Sequence, residues 1–195
     1  MKSTQLKEHL QGLLYEALKE YINIKLIELP KEKIYAVSLY CDSGFRSMGG
    51  AISTVESLNE RINDNSSKQE ILNFELYASE WKYVNDHYQI FEKVDEFIDK
   101  TYEVFYDGEF DDVDLEEFDD DQLWDFTSSF FIETIVMKMN KLKDEKKFDN
   151  ESFTRDVFLG IQFGDPSEED LKMLLTVSER LNSPDWHNKL LQSLN

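Results

Sequence analysis

A chain of 195 residues with 41 acidic side chains against 21 Lys and Arg carries a formal charge of −20, which argues against nucleic acid or an anionic membrane as a direct ligand, since both need basic patches. Its 14 Phe, 9 Tyr and 3 Trp exclude a chain too polar to fold, and the length fits one domain over residues 1–195. Cys41 is the only cysteine, so neither an intrachain disulfide nor a thiolate metal cage is available. With no signal-peptide-like or membrane-length apolar stretch, the expectation is a soluble cytoplasmic protein.

Leu6, Leu10, Leu13, Leu14, Ala17, Leu18 and Tyr21 recur at helical spacing behind a Ser3 or Thr4 cap, and predict an amphipathic helix closed by Pro30. Residues 34–41 and 46–53 suit extended structure around the Asp42-Ser43-Gly44 turn, which makes a β-hairpin. Gly49 and Gly50 inside its second strand imply a bulge or a close backbone approach. Ser53 through Glu56 reads as a capping box for a helix that buries Val55, Leu58 and Ile62. After a polar loop at 63–68, Phe74 to Tyr77 reads as a short strand and Ser79 as the cap of the next helix.

Ile90, Phe91, Val94, Phe97, Ile98, Tyr102 and Phe105 predict a long helix ending near Gly108. Leu123, Phe126, Phe130, Phe131, Ile135 and Val136 leave no wet side and predict a central helix, with Lys138, Lys141 and Lys143 complementing its dipole toward the end. A charged linker at 144–150, a buried strand at 157–163 halted by Gly164, Asp165 and Pro166, and a final helix from Ser167 complete the order. Strands that arrive as a hairpin favour an α+β fold: a small antiparallel sheet, the hairpin plus one or two further strands, covered on one face by several amphipathic helices.

The run from Asp107 to Asp121 packs ten acids and no bases: Asp107, Glu109, Asp111, Asp112, Asp114, Glu116, Glu117, Asp119, Asp120 and Asp121. These repel one another unless water screens them or a cation faces them. Phe110, Val113, Leu115 and Phe118 are interleaved, and a solvated tail has no use for them. The run is either a solvated acidic loop or a surface for a basic partner, with Phe110, Leu115, Phe118 and Trp124 as anchors. A calcium loop fails at its key positions. Counting from Asp107, the sixth place holds Asp112 instead of glycine and the twelfth holds Phe118 instead of glutamate. Such charge density leaves room only for weak, adventitious calcium binding.

No linear motif specifies a reaction. His9, His87 and His187 have no metal-ligand spacing, Cys41 sits beside Asp42, which opposes a thiolate, and Gly49-Gly50 is no phosphate loop. Trp81 and Trp186 read as core or rim residues. The expectation is no enzyme, no cofactor, no metal and no catalytic residue.

Three blocks, IYAVSLYCDSGFRSMGGAISTVESL, YASEWKY and GDPSEEDLKMLLTVSERLNSP, resemble in order the conserved blocks of the uncharacterised bacterial Domain of Unknown Function family 4303. The second lacks the proline of the family's Ser-Pro-Ala-Glu-Trp pattern. The resemblance implies a fold and no activity. Small acidic α+β proteins of this sort often serve as immunity proteins against a cognate toxin, an analogy only. The leading expectation is therefore a non-enzymatic immunity or antitoxin protein that occludes a basic partner. The alternatives are a regulatory or scaffold module whose acids mimic nucleic acid, and a small hydrolase or transferase with a site invisible in sequence.

Overall fold

The computed structural model describes residues 3–106, 115 and 117–194. The leucine stripe winds into α1 (Ser3–Glu28) and is buried along its length through Leu6, Leu10, Leu14, Leu18 and Tyr21. The hairpin forms as β1 (Ile34–Cys41) and β2 (Met48–Thr54), paired antiparallel with Val37 opposite Ile52 and Leu39 opposite Gly50. Downstream lie α2 (Val55–Arg61), α3 (Lys68–Leu76), β3 (Tyr83–Val84) and α4 (Glu92–Tyr106). α5 (Asp120–Asp144), β4 (Phe153–Phe163), α6 (Glu168–Leu181) and α7 (Pro184–Ser193) follow.

The fold is α+β, but the sheet is mixed. Its strand order is β3-β2-β1-β4. β4 runs parallel to β1, with Leu39 opposite Ile161 and Cys41 opposite Phe163. Helices cover both faces of the sheet, not one: every residue of β2 and all of β1 but Tyr40 are buried. On one face Phe163 meets Phe45 (ring centroids 5.9 Å apart), which stacks on Phe131 of α5 at 5.5 Å. A Cβ on Gly50 would run into the Tyr21 ring of α1, the close approach that this glycine permits. On the other face Tyr35 stacks on Trp186 of α7 at 6.0 Å and donates to the Glu75 carbonyl of α3 at 3.0 Å. Gln162 donates to the Leu76 carbonyl at 2.8 Å and accepts from the Ala78 amide at 3.2 Å. Gly49 and Gly50 pair in regular register, and the irregularity lies between Ile34 and Ala36.

Four further local expectations are corrected. Phe74–Tyr77 is no strand. Ser67 and Glu70 form a reciprocal cap that starts α3, which runs through Leu76. Ser79 lies in a short 3-10 turn instead of capping a helix. The cap of α2 is Thr54, closed by Ser57, one residue later than expected, while Glu56 accepts the Lys33 amide at 2.7 Å. A helix not foreseen, α7, follows Ser183, with Pro184 in its first turn, where a missing N–H costs nothing. The buried apolar residues form one cluster, against which the partly buried Val55 and Leu58 of α2 and Tyr83 and Val84 of β3 pack.

Candidate functional site

β1 and β4 run side by side and end together at Cys41 and Phe163. Beyond them the chain makes the tight loop 42–47. Phe45, at φ 56°, is fully buried within it. That left-handed conformation is uncommon for a bulky side chain, and the stack on Phe131 and the edge-on contact with Phe163 hold it in place. Ser43 donates to Asp170 at 2.7 Å, and Asp170, itself buried, accepts the Ser167 amide that starts α6 at 2.8 Å. The Tyr102 hydroxyl donates to the Gly44 carbonyl, and Arg46 lies over the Tyr102 ring at 4.0 Å with Asp99 3.5 Å from its guanidinium. The loop is thus fixed to both α4 and α6. It borders a cleft of about 360 Å³, lined by Tyr40, Asp42, Ser47, Asn85 and Asp165 among others.

Asp95 accepts the Met48 amide at 2.9 Å. Burial raises its pKa to about 6; the Met48 bond opposes the rise, and repulsion from Asp42, Asp99 and Glu92 adds to it. Between the ordinary carboxyl value of 3.8 and about 6, the folded state holds the extra proton, so stability falls as pH rises through that window. Asp95→Asn keeps the Met48 acceptor and removes the charge. It is expected to raise stability at pH 7 by about 1 kcal/mol, since solvent screens this half-exposed group, and to change little at pH 4. Urea unfolding at both pH values checks this, and an equal difference at both contradicts it. Burial, then Asp42 and Asp95, pushes the Cys41 thiol well up, which leaves it no nucleophile at neutral pH.

α4 carries the larger acidic feature. Val94, Ile98, Thr101, Tyr102 and Phe105 bury one side. Glu92, Glu96, Asp99 and Glu103 form an exposed row at i, i+4, i+7 and i+11 on the other. Tyr106 prolongs this row, 57% exposed and stacked on Tyr102 at 5.9 Å. The signal for the row, acids at helical spacing opposite an apolar stripe, was present in the sequence and went unread beside the denser run that follows.

Of the residues expected to bind a partner, Asp107, Glu109, Phe110, Asp111, Asp112, Asp114 and Glu116 lie outside the described residues. Glu117, Asp119, Asp120 and Asp121 are exposed. Asp119 caps α5 reciprocally with Gln122, and Asp120 and Asp121 occupy the first turn, where negative charge stabilises the helix dipole. Leu115 is buried. Phe118 and Trp124 are half-buried against the core, Phe118 edge-on to Phe126 at 6.1 Å.

A second polar cluster escaped the sequence reading because it joins residues some sixty positions apart. Lys25, 2% exposed, bonds to Glu28 at 2.8 Å and to Asp86, while Tyr21 donates to Asp86 at 3.0 Å and His87 meets Glu28 at 2.8 Å. Lys25 and His87 lower the Glu28 pKa, the Lys25 bond most, against a smaller opposing effect of burial. Glu28, Asp86 and His87 bring three ligand atoms within 4.8 Å of one another. The Lys25 ammonium, bonded to both carboxylates, already supplies the cation between them. His9 packs on Phe97 at 4.4 Å, and His187 lies 3.3 Å from Ser178.

The model of the family described as a domain of unknown function, DUF4303, matches residues 14–183. The chain belongs to that family. The three DUF4303 blocks meet in the fold: Ser43 of the first bonds to Asp170 of the third, Ile52 of the first pairs with Tyr83 of the second, and a Cβ on Gly164 of the third would come within 2.7 Å of the Tyr40 hydroxyl. No curated protein and no solved structure matches the chain.

Proposed function

We propose that this DUF4303 protein is a non-enzymatic, cytoplasmic binding protein of the immunity or antitoxin kind, and that its acidic face occludes a basic surface of a partner protein. The observation that carries the reading is the row Glu92, Glu96, Asp99 and Glu103, exposed along α4 and continued on one side by Asp42 and Asp95. Among the described residues Arg46 forms the ion pair to this row, through Asp99, while Lys93 and Lys100 lie exposed on the same helix. The remaining charge is open to attract lysines and arginines over a Debye length. Tyr106, exposed at the end of the row, supplies apolar contact beside it. Among the described residues no helix is long and apolar enough to cross a membrane.

Long-range attraction acts on encounter more than on dissociation. Glu92→Gln/Glu96→Gln/Asp99→Asn/Glu103→Gln should therefore slow association with the purified partner about tenfold or more at low salt and flatten its salt dependence, with a smaller change in off-rate. An on-rate independent of salt and unchanged in the variant contradicts the reading. Competition by DNA for the same partner would assign the acids to nucleic-acid mimicry. The enzyme reading keeps one favouring observation, the raised pKa of Asp95 near the cleft. Turnover abolished by Asp95→Asn would establish it.

A further inference from the structure

We propose that the groove over the outer face of α1 is a binding site for a small organic anion, received by Lys138 and Lys141 of α5. The groove holds about 750 Å³ between α1, α5 and the start of α4, within the range of small-molecule sites. Lys138 and Lys141 line it from α5, and Gln89, Ile90 and Lys93 line it from the opposite side. Leu13 and Ile90 are half-buried and offer apolar contact for the body of a ligand.

Two independent observations point to an occupant. The first is a cation without a counter-ion. In a chain with 41 acids against 21 bases, Lys138 is half-buried and has no ion-pair partner among the described residues. Burial, and then the neighbouring Lys141, disfavours its charged form, and the opposite charge of an anion bound between the two lysines offsets both effects. Lys141 is held in place over the Tyr15 ring at 3.9 Å and by Glu145, 3.8 Å from its ammonium, which also accepts the Tyr15 hydroxyl at 2.5 Å. Glu16, Glu20 and Glu92 also line the groove, Glu92 next to Lys93 on the opposite side, which favours the α5 wall with its two lysines for the anionic part of the ligand.

The second observation is Gly12. It lies inside the 26-residue α1, lines the groove, and a Cβ there would meet nothing within 4 Å. An interior helical glycine costs about 1 kcal/mol relative to alanine, and no packing contact requires this one. Its effect is to keep the floor of the groove open.

The test titrates the full chain with phenyl phosphate and with benzoate at constant ionic strength, followed by amide NMR. Saturable shifts are expected at Gly12, Leu13 and Lys138. They should weaken by about tenfold or more in Lys138→Gln/Lys141→Gln, and disappear in Gly12→Met, whose side chain fills the floor without opposing the helix. The probe that binds more tightly identifies the head group as phosphate or carboxylate. Absence of saturable shifts with both probes, or unchanged affinity in either variant, overturns the proposal.

Discussion

Phe131→Ala is expected to cost about 3–5 kcal/mol of folding free energy, the range for deleting a large aromatic side chain from a packed core. Phe131 is fully buried and meets Phe45 at 5.5 Å, Tyr102 at 5.6 Å and Phe130 at 5.6 Å. It joins α5 to α4 and to the loop after β1. The vacated space is walled by rigid rings that cannot collapse into it. The loss is a large part of a typical total of about 5–15 kcal/mol. Urea unfolding should show a lower midpoint at unchanged slope. A loss below about 1 kcal/mol would mean that these rings do not pack as described. Because Phe45 leans on Phe131, the variant should also raise hydrogen exchange in the loop 42–47.

The second large effect is an asymmetry around Lys25. Glu28→Gln/Asp86→Asn leaves a fully buried ammonium without an anion, and breaking a buried pair from one side costs about 3–5 kcal/mol. Lys25→Met instead leaves two carboxylates that are 39% and 36% exposed. Water reaches them, and the new apolar side chain lies against the Tyr21 and Tyr83 rings that the ammonium now faces at 5.9 and 5.2 Å. Its cost is expected at about 1 kcal/mol. Thermal unfolding of the two variants should therefore rank the carboxylate variant well below Lys25→Met, and the reverse order would contradict the burial of this charge.

The hairpin was legible because its strands and its Asp42-Ser43-Gly44 turn are neighbours in sequence, and α6 because Ser167 caps it at the first turn. The parallel pairing of β1 and β4 was not, since more than a hundred residues separate them and no local signal names a partner strand. The apolar run of β4, buried on both faces from Phe158 to Phe163, is the pattern of a parallel strand and could have been read so. The start of α3 carried a serine and a glutamate three residues apart, Ser67 and Glu70, a capping box that outranks the β propensity of Phe74 and Tyr77. Site residues followed the same rule. The α4 row is periodic within one element and could be read. The Lys25 cluster and the α1 groove exist only once distant helices and loops are brought together.

The most direct test of an acidic binding face is affinity capture from lysate of the source cells with three baits. These are the wild type, the Glu92, Glu96, Asp99 and Glu103 neutralised variant, and a variant with Asp111, Asp112, Glu116, Glu117, Asp119 and Asp120 changed to Asn or Gln. Cross-linking would locate the contact. A basic protein retained by the wild type, cross-linked near α4 and lost from the α4 variant is the predicted result. Equal recovery of the same partner by all three baits, or cross-links confined to another face, would contradict it.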